Sequence, residues 1–275
     1  MQKIMIKNVI AAGLLTLAAS SAQAGDPKKI VVDGSTTVGP IAKAFAEYYM
    51  KAHPDVNITV SESGSGNGAK GIINGAVDVG TMSRAMKTEE LDAAKAKGRN
   101  PVQHTVAFDG IAAVVHPSNP VKNLSKDQLR DIYTGEITNW KKVGGPDLKI
   151  VVISRDTNSG TYETFQEKVT KSERVTDRAE YVGSNGAVRQ RVQTTPGAIG
   201  YVGLAFTEGV KALTVNEIEA NTENVVSKKY PISRGLFMYT DGEPAAGTAL
   251  ADFVGLYKTA DGKKLVGEQG YVPVP

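Results

Sequence analysis

Residues 30–48 read IVVDGSTTVGPIAKAFAEY, and this stretch decides the fold. Ile30-Val31-Val32 predicts a short apolar strand that stops at Asp33-Gly34. Ile41, Phe45, Tyr48 and then Ala52 recur at helical spacing, with Pro40 tolerated in the first turn. Asp33-Gly34-Ser35-Thr36-Thr37-Val38 is the polar loop between strand end and helix start. Such a strand–loop–helix unit, repeated, builds a parallel sheet covered by helices.

The alternation continues outward. Pro54-Asp55 ends the helix, and Val56, Ile58 and Val60 alternate with polar residues as a strand does. A Gly/Ser loop follows, then a short helix through Ile72-Ile73, and Val77 and Val79 open a third strand. Glu89 to Lys97 predicts a surface helix. Thr105 to His116 predicts a long buried strand that carries Asp109. A second α/β unit follows, with a helix capped by Ser125, a strand from Lys149 to Ile153 and helices at Tyr162–Val169 and Val188–Val192. Strands at Ala198–Val202 and Tyr230–Tyr239 and a helix from Thr248 to Tyr257 complete it.

Composition narrows the function. Lys3 and Lys7, the apolar run Val9 to Ala19 and Ser21-Ala22-Gln23-Ala24 predict a secretory signal over residues 1–24, cleaved before Gly25. The run is too short to span a bilayer. Residues 25–275 suffice for one large domain or two lobes. Loss of Lys3 and Lys7 lowers the formal charge from +3 to +1, and no basic run carries interleaved aromatics, which argues against nucleic acid as a partner. Cysteine is absent, which excludes disulfides, thiolate chemistry and a lipidated N-terminal Cys. Secretion without disulfides suits a bacterial periplasm.

Two further loops share the design of the first. They are Ser63-Gly64-Ser65-Gly66-Asn67-Gly68 and Arg155-Asp156-Thr157-Asn158-Ser159-Gly160-Thr161, each between a strand and a helix. A helix start presents unpaired N–H groups and the positive end of its dipole. Hydroxyls add donors, and glycine lets backbone approach a ligand closely. Three such ends converging on one point bind an oxyanion without a metal. Taken singly, each loop also reads as an ordinary N-cap. Asp109 is either a turn residue beside Gly110 or a cleft-facing carboxylate on a strand that crosses between lobes; a buried carboxylate needs a partner or a shared proton.

Other chemistries find little support. Gly66-Asn67-Gly68-Ala69-Lys70-Gly71 fits a dinucleotide fingerprint, but the helix after it is short and no acidic strand end follows about 20 residues on. There is no phosphate-binding P-loop and no nucleophile elbow. His53, His104 and His116 lack ligand spacing, so neither a metal, a cofactor nor a catalytic triad is expected.

On these loops the sequence resembles the PstS family, the periplasmic phosphate-binding components of phosphate ABC transporters. The matching segments include Asp33-Gly34-Ser35-Thr36-Thr37, Ser63-Gly64-Ser65-Gly66, Val77-Asp78-Val79-Gly80-Thr81-Met82-Ser83-Arg84 and Phe108-Asp109-Gly110-Ile111. Leu129 to Trp140 and Ser154 to Thr161 are the more specific ones. The resemblance implies a two-lobed α/β binding protein (type II), each lobe a mostly parallel sheet with flanking helices and the ligand cleft between them. The lobes expected are residues 25–107 plus 229–275, and residues 108–228. It implies a monomer that takes inorganic phosphate and delivers it to a membrane permease, without catalysis. Other tetrahedral oxyanions (sulfate, molybdate, tungstate), a secreted phosphatase, and a regulatory role without binding are the competing readings.

Carried over by position, Ser35, Thr36 and Thr37 match the first phosphate loop and Ser65 the second. Arg155, Ser159, Gly160 and Thr161 match the third, with Arg155 the main charged donor. Long members of the family carry an Asp where this chain has Ser83, so it resembles the shorter branch. Asp109 then becomes the candidate acceptor of the phosphate proton. Arg84 is either a second cationic donor or the ion-pair partner of Asp109.

Overall fold

The computed structural model describes residues 28–275; the signal-peptide reading of residues 1–24 lies outside the described residues. The opening unit runs β1 (Lys29–Gly34), α1 (Gly39–Ala52), β2 (Asn57–Val60), α2 (Ser65–Asn74), β3 (Val79–Met82) and α3 (Thr88–Ala96). β1 pairs in parallel with both β2 and β3, as the strand–helix alternation demands. The long strand β4 (Pro101–Val115) follows.

Beyond it come β5 (Asn123–Leu124), α4 (Lys126–Thr134), β6 (Val151–Arg155), α5 (Gly160–Phe165), β7 (Glu180–Val182), α6 (Asn185–Thr194) and β8 (Ala198–Gly203). β9 (Lys211–Ala212), β10 (Thr214–Val215) and α7 (Thr222–Val226) complete this unit. β6 pairs in parallel with β7 and β8. The chain then returns through β11 (Ser233–Asp241), α8 (Ala249–Gly255), α9 (Ala260–Glu268) and β12 (Val272–Pro273).

β4 joins the two halves. Its residues from Pro101 to Gly110 lie antiparallel to β11, which also borders β3. From Ile111 onward it lies antiparallel to β8, and at its end to β9. One strand therefore pairs with both halves, which is why it is long and, from Asp109 to Val115, continuously buried. One core gathers Val32, Phe45, Leu236, Met238 and Phe253. Another gathers Tyr133, Trp140, Phe165 and Tyr201, joined by Tyr230, Ile232 and Val272 from the returning chain.

The sequence reading and the structure differ at element ends. β4 begins at Pro101 rather than Thr105, because its register with β11 runs out to Asp241. The helix expected from Tyr162 begins at Gly160, and after Phe165 it widens into one π turn over Gln166–Thr170. α7 and α9 carry too weak an apolar pattern to be read: α7 is five residues long, and α9 (ADGKKLVGE) buries only Gly262 and Val266.

Candidate functional site

Each polar loop leaves backbone donors over at its helix start. Ser35 Oγ accepts the amides of Thr37 (3.1 Å) and Val38 (3.3 Å), closing the turn ahead of α1, whose own N-cap, Val38, has no side-chain bond. Ser159 Oγ accepts the amide of Tyr162 at 3.2 Å and caps α5. For Ser159, then, the ordinary cap reading holds, whereas Ser35 shapes the turn before its helix. Among the described residues no acceptor meets the buried amides of Thr36, Ser65, Gly160 and Thr161. Unpaired buried N–H groups are rare, and a cluster of them marks a place for an acceptor.

The three loops meet. Thr37 Oγ1 lies 3.1 Å from Thr161 Oγ1, which joins the first loop to the third. Ser65 Oγ lies 3.3 Å from Ser83 Oγ and accepts the Ser83 amide at 3.1 Å. The Gly66 amide donates to the Asn158 carbonyl at 2.9 Å, so the second and third loops share a main-chain bond. Gly160 is needed for this approach rather than for a left-handed backbone. A Cβ there would stand 2.5 Å from Ser65 Oγ and 2.8 Å from Ser83 Oγ.

Asn185 and Arg234 belong to the cluster and were not singled out in the sequence. Asn185 Nδ2 donates to Thr36 Oγ1 (3.0 Å) and Thr37 Oγ1 (2.9 Å), while its Oδ1 accepts the Gly203 amide. Arg234 Nη1 donates to Thr161 Oγ1 at 2.8 Å, and Nη2 reaches Thr37 Oγ1 at 3.4 Å. One signal for Arg234 was present: it shares the buried phase of β11 with Leu236 and Met238. An arginine on the inward phase of a strand has to meet a carboxylate or a ligand. Asn185, one residue past the Ser184 cap of α6, gave no such signal.

Charge is arranged differently from the sequence expectation. Asp109 is fully buried, but its Oδ2 takes Arg234 Nε and Nη2, and its Oδ1 takes the Leu204 amide at 3.0 Å. Burial pushes this carboxyl up, and the guanidinium and the amide pull against it. Three N–H donors around one carboxyl fit its ionised form. Asp109 thus reaches the loops through Arg234, a correction to its expected place as a proton acceptor facing the ligand.

The partner expected for it is corrected too. Arg84 makes no bond to Asp109 and stays outside the cluster; it forms a two-pronged pair with Glu90 (2.7 Å each) and also pairs with Glu163. Arg155 is buried and spends Nε on the Val182 carbonyl (3.1 Å) and Nη2 on the Gly183 carbonyl (2.9 Å). Its Nη1 is buried with no partner. Burial lowers its pKa, yet a guanidinium keeps its proton in a protein.

Arg155 and Arg234 are near enough to act on each other; Asp109 pairs with Arg234, and the Asp156 carboxylate acts on Arg155. With four free amides and the hydroxyls of Thr36, Thr37, Ser65, Ser83 and Thr161, the three loops form a donor-rich cluster. That suits a compact oxyanion held by short N–H and O–H bonds. Among the described residues no group of His, Asp or Glu is placed to hold a metal ion, and no helix is long and apolar enough to cross a membrane.

Comparison with known proteins agrees with this picture. Residues 19–255 match the PBP superfamily domain. The phosphate-binding protein PstS of Bacillus subtilis is 34% identical, over 98% of this chain and 94% of its own length. PstS of Borreliella burgdorferi is 30% identical over 90% and 91%. Among solved structures, a protein of Clostridium perfringens described as a phosphate ABC transporter substrate-binding protein, with bound phosphate, superposes with a TM-score of 0.83 at 36% identity. That match covers 90% of this chain and all of the other. An ABC-type phosphate transport receptor of Vibrio cholerae gives a TM-score of 0.73 at 32% identity with the same coverage.

Proposed function

The chain belongs to the PBP superfamily and to the PstS phosphate-binding proteins, and on that footing we propose that it captures inorganic phosphate between two lobes and hands it to the membrane permease of an ABC transporter. The fold is the two-lobed binding-protein fold. Residues 25–107 with 229–275 make one lobe and residues 108–228 the other, with two crossings at the seam: Tyr230, Ile232 and Val272 pack into the second core, and Phe108–Gly110 still pair with β11. Thr36, Thr37, Ser65, Ser83, Gly160 and Thr161 supply amides and hydroxyls, Arg155 and Arg234 supply charge, and Asn185 aligns the threonines. Ser35 and Ser159 hold the loops in shape. Asp109 orients Arg234. The protein works in the periplasm after loss of residues 1–24, as a monomer and without catalysis.

One observation carries this reading. Four unpaired loop amides lie with Arg234, whose carboxylate partner Asp109 is already engaged, and a second buried arginine, Arg155, keeps an unspent Nη1. The test is calorimetric titration of refolded, phosphate-free protein with phosphate, sulfate, molybdate and tungstate. One-to-one binding of phosphate in preference to the others is expected. Sulfate or molybdate binding in the absence of phosphate binding would make it a receptor for those anions. Hydrolysis of p-nitrophenyl phosphate abolished by Ser159→Ala would make it a phosphatase.

A further inference from the structure

Arg84 was singled out in the sequence, but the donor cluster does not use it. It belongs to a four-charge group that spans the two halves of the molecule. Arg84, Lys87 and Glu90 follow β3 on one half, and Glu163 sits in the first turn of α5 on the other. Arg84 Nη1 and Nη2 grip Glu90 at 2.7 Å each, and Glu90 also accepts the Lys87 amide at 2.9 Å, starting α3. Glu163 then takes Arg84 Nε on one oxygen and Lys87 Nζ, at 2.8 Å, on the other. The Arg84, Glu90 and Glu163 side chains are only 10%, 17% and 20% exposed, so this is no freely solvated surface pair.

The division of labour is uneven. Glu90 holds the Arg84 guanidinium from within its own half; burial is the largest influence and would raise the Glu90 carboxyl, but Arg84 and the Lys87 amide together hold it below its usual range. The arginine is therefore positioned before Glu163 arrives, which reduces the ordering entropy of each new bond. Glu163 stands three residues past Gly160, on the helix whose start supplies the free Gly160 and Thr161 amides. Its bonds to Arg84 and Lys87 exist only when the two halves are together.

We propose that Glu163 is a positioning residue that latches the closed state through Arg84 and Lys87, and so sets how long a captured anion stays. This rests on the phosphate-capture reading. Contacts made only in the closed state favour closure without adding to the first encounter. Removing them should act on dissociation and leave association nearly as it was. Glu163→Gln keeps the size of the side chain and removes the charge.

Stopped-flow release of phosphate from Glu163→Gln is the test, beside wild type and Arg84→Gln, at low and high salt. Dissociation is expected to quicken about tenfold at low salt, with association within twofold, and added salt should narrow the difference. Arg84→Gln and the double variant should show the two losses to be non-additive. Equal dissociation rates in wild type and Glu163→Gln, with unchanged urea midpoints, would overturn the latch. So would a slower association that accounts for the whole loss of affinity.

A second arm does not need phosphate. The chain has no cysteine, so Lys95→Cys with Arg174→Cys places one distance label on each half. At low salt the wild-type background should show more of the short distance than Glu163→Gln. Identical distributions would overturn the latch, whereas failure of wild type to bind phosphate would overturn only the phosphate reading.

Discussion

Arg234 donates from Nε and Nη2 to one oxygen of Asp109, at 3.0 and 2.8 Å, and the two residues are direct cross-strand partners in the β4–β11 register. The side chains are 3% and 0% exposed. The sheet register thus fixes the guanidinium, and Nη1 and the outer side of Nη2 are left to face Thr161 and Thr37. Buried pairs of this kind add little net stability, but removing one partner leaves an uncompensated charge.

Asp109→Asn should therefore act as a stability lesion first. The anion-free protein is expected to lose about 3 kcal/mol or more in urea unfolding, the scale for breaking a buried ion pair from one side. Phosphate should restore part of that loss, because an anion compensates the stranded guanidinium. The ratio of phosphate to sulfate affinity should stay as in wild type, since the carboxylate oxygens are already taken by Arg234 and Leu204. A ratio that collapses in the Asn variant would return Asp109 to the ligand.

Arg155 offers a different lesion. Two of its nitrogens brace the Val182 and Gly183 carbonyls, and only Nη1 remains. Lysine cannot brace two carbonyls and still present a third directed donor. Arg155→Lys is expected to weaken phosphate binding by about 2 kcal/mol, roughly thirtyfold. Calorimetric titration checks it, and wild-type affinity would place Nη1 outside the anion's reach.

These outcomes also show what could be read in advance. The three loops were legible because their chemistry is local: a strand end, a few hydroxyls and glycines, and a helix start within seven residues. The β1–β3 unit was legible through its alternating period. The Asp109–Arg234 pair was not, because its partners lie 125 residues apart and meet only through the register of two strands. Arg84 was misassigned for the same reason, since Glu163 comes from the other half of the molecule. The long strand was legible as unusual, and its length proved to be the signature of a strand that pairs with both halves.

Gly160 tests the closing of the cleft. Its backbone is not in the left-handed region, so a substitution meets neighbours rather than strain. The new Cβ would fall 2.5 Å from Ser65 Oγ on the facing half. Gly160→Val should keep the two halves apart, leaving far-ultraviolet circular dichroism and the urea midpoint near wild type while phosphate binding is lost. Intact binding would mean that Ser65 and Ser83 yield without cost.

The last outcome concerns acid stability and is independent of the ligand. His104 lies on β4, only 5% exposed, with Nε2 2.9 Å from Thr240 Oγ1. Thr240 gives its own proton to the Gly242 carbonyl at 2.8 Å, so its oxygen must accept and His104 Nε2 must carry the proton. That is the neutral Nε2–H form, and a second proton would have to enter at Nδ1. Burial, the largest cause, lowers the imidazole below its ordinary 6.5; Glu243 opposes this, and Lys258 adds to the lowering. With the folded pKa below the unfolded one, the unfolded chain binds the proton first as pH falls. The contribution of His104 is therefore fully present above about pH 6.5 and is lost as pH drops toward the folded pKa, with a slope of at most about 1.4 kcal/mol per pH unit. Asp241 and Glu90, whose carboxyls sit below their usual range, lose their contributions only in stronger acid. Asp109, whose carboxyl burial raises, contributes in the opposite sense, so the comparison must be a difference between proteins. His104→Gln, which retains an N–H donor for Thr240, should unfold in urea with a flatter dependence between pH 7 and pH 5 than wild type. Parallel profiles for the two proteins would show that His104 is protonated as easily in the fold as out of it.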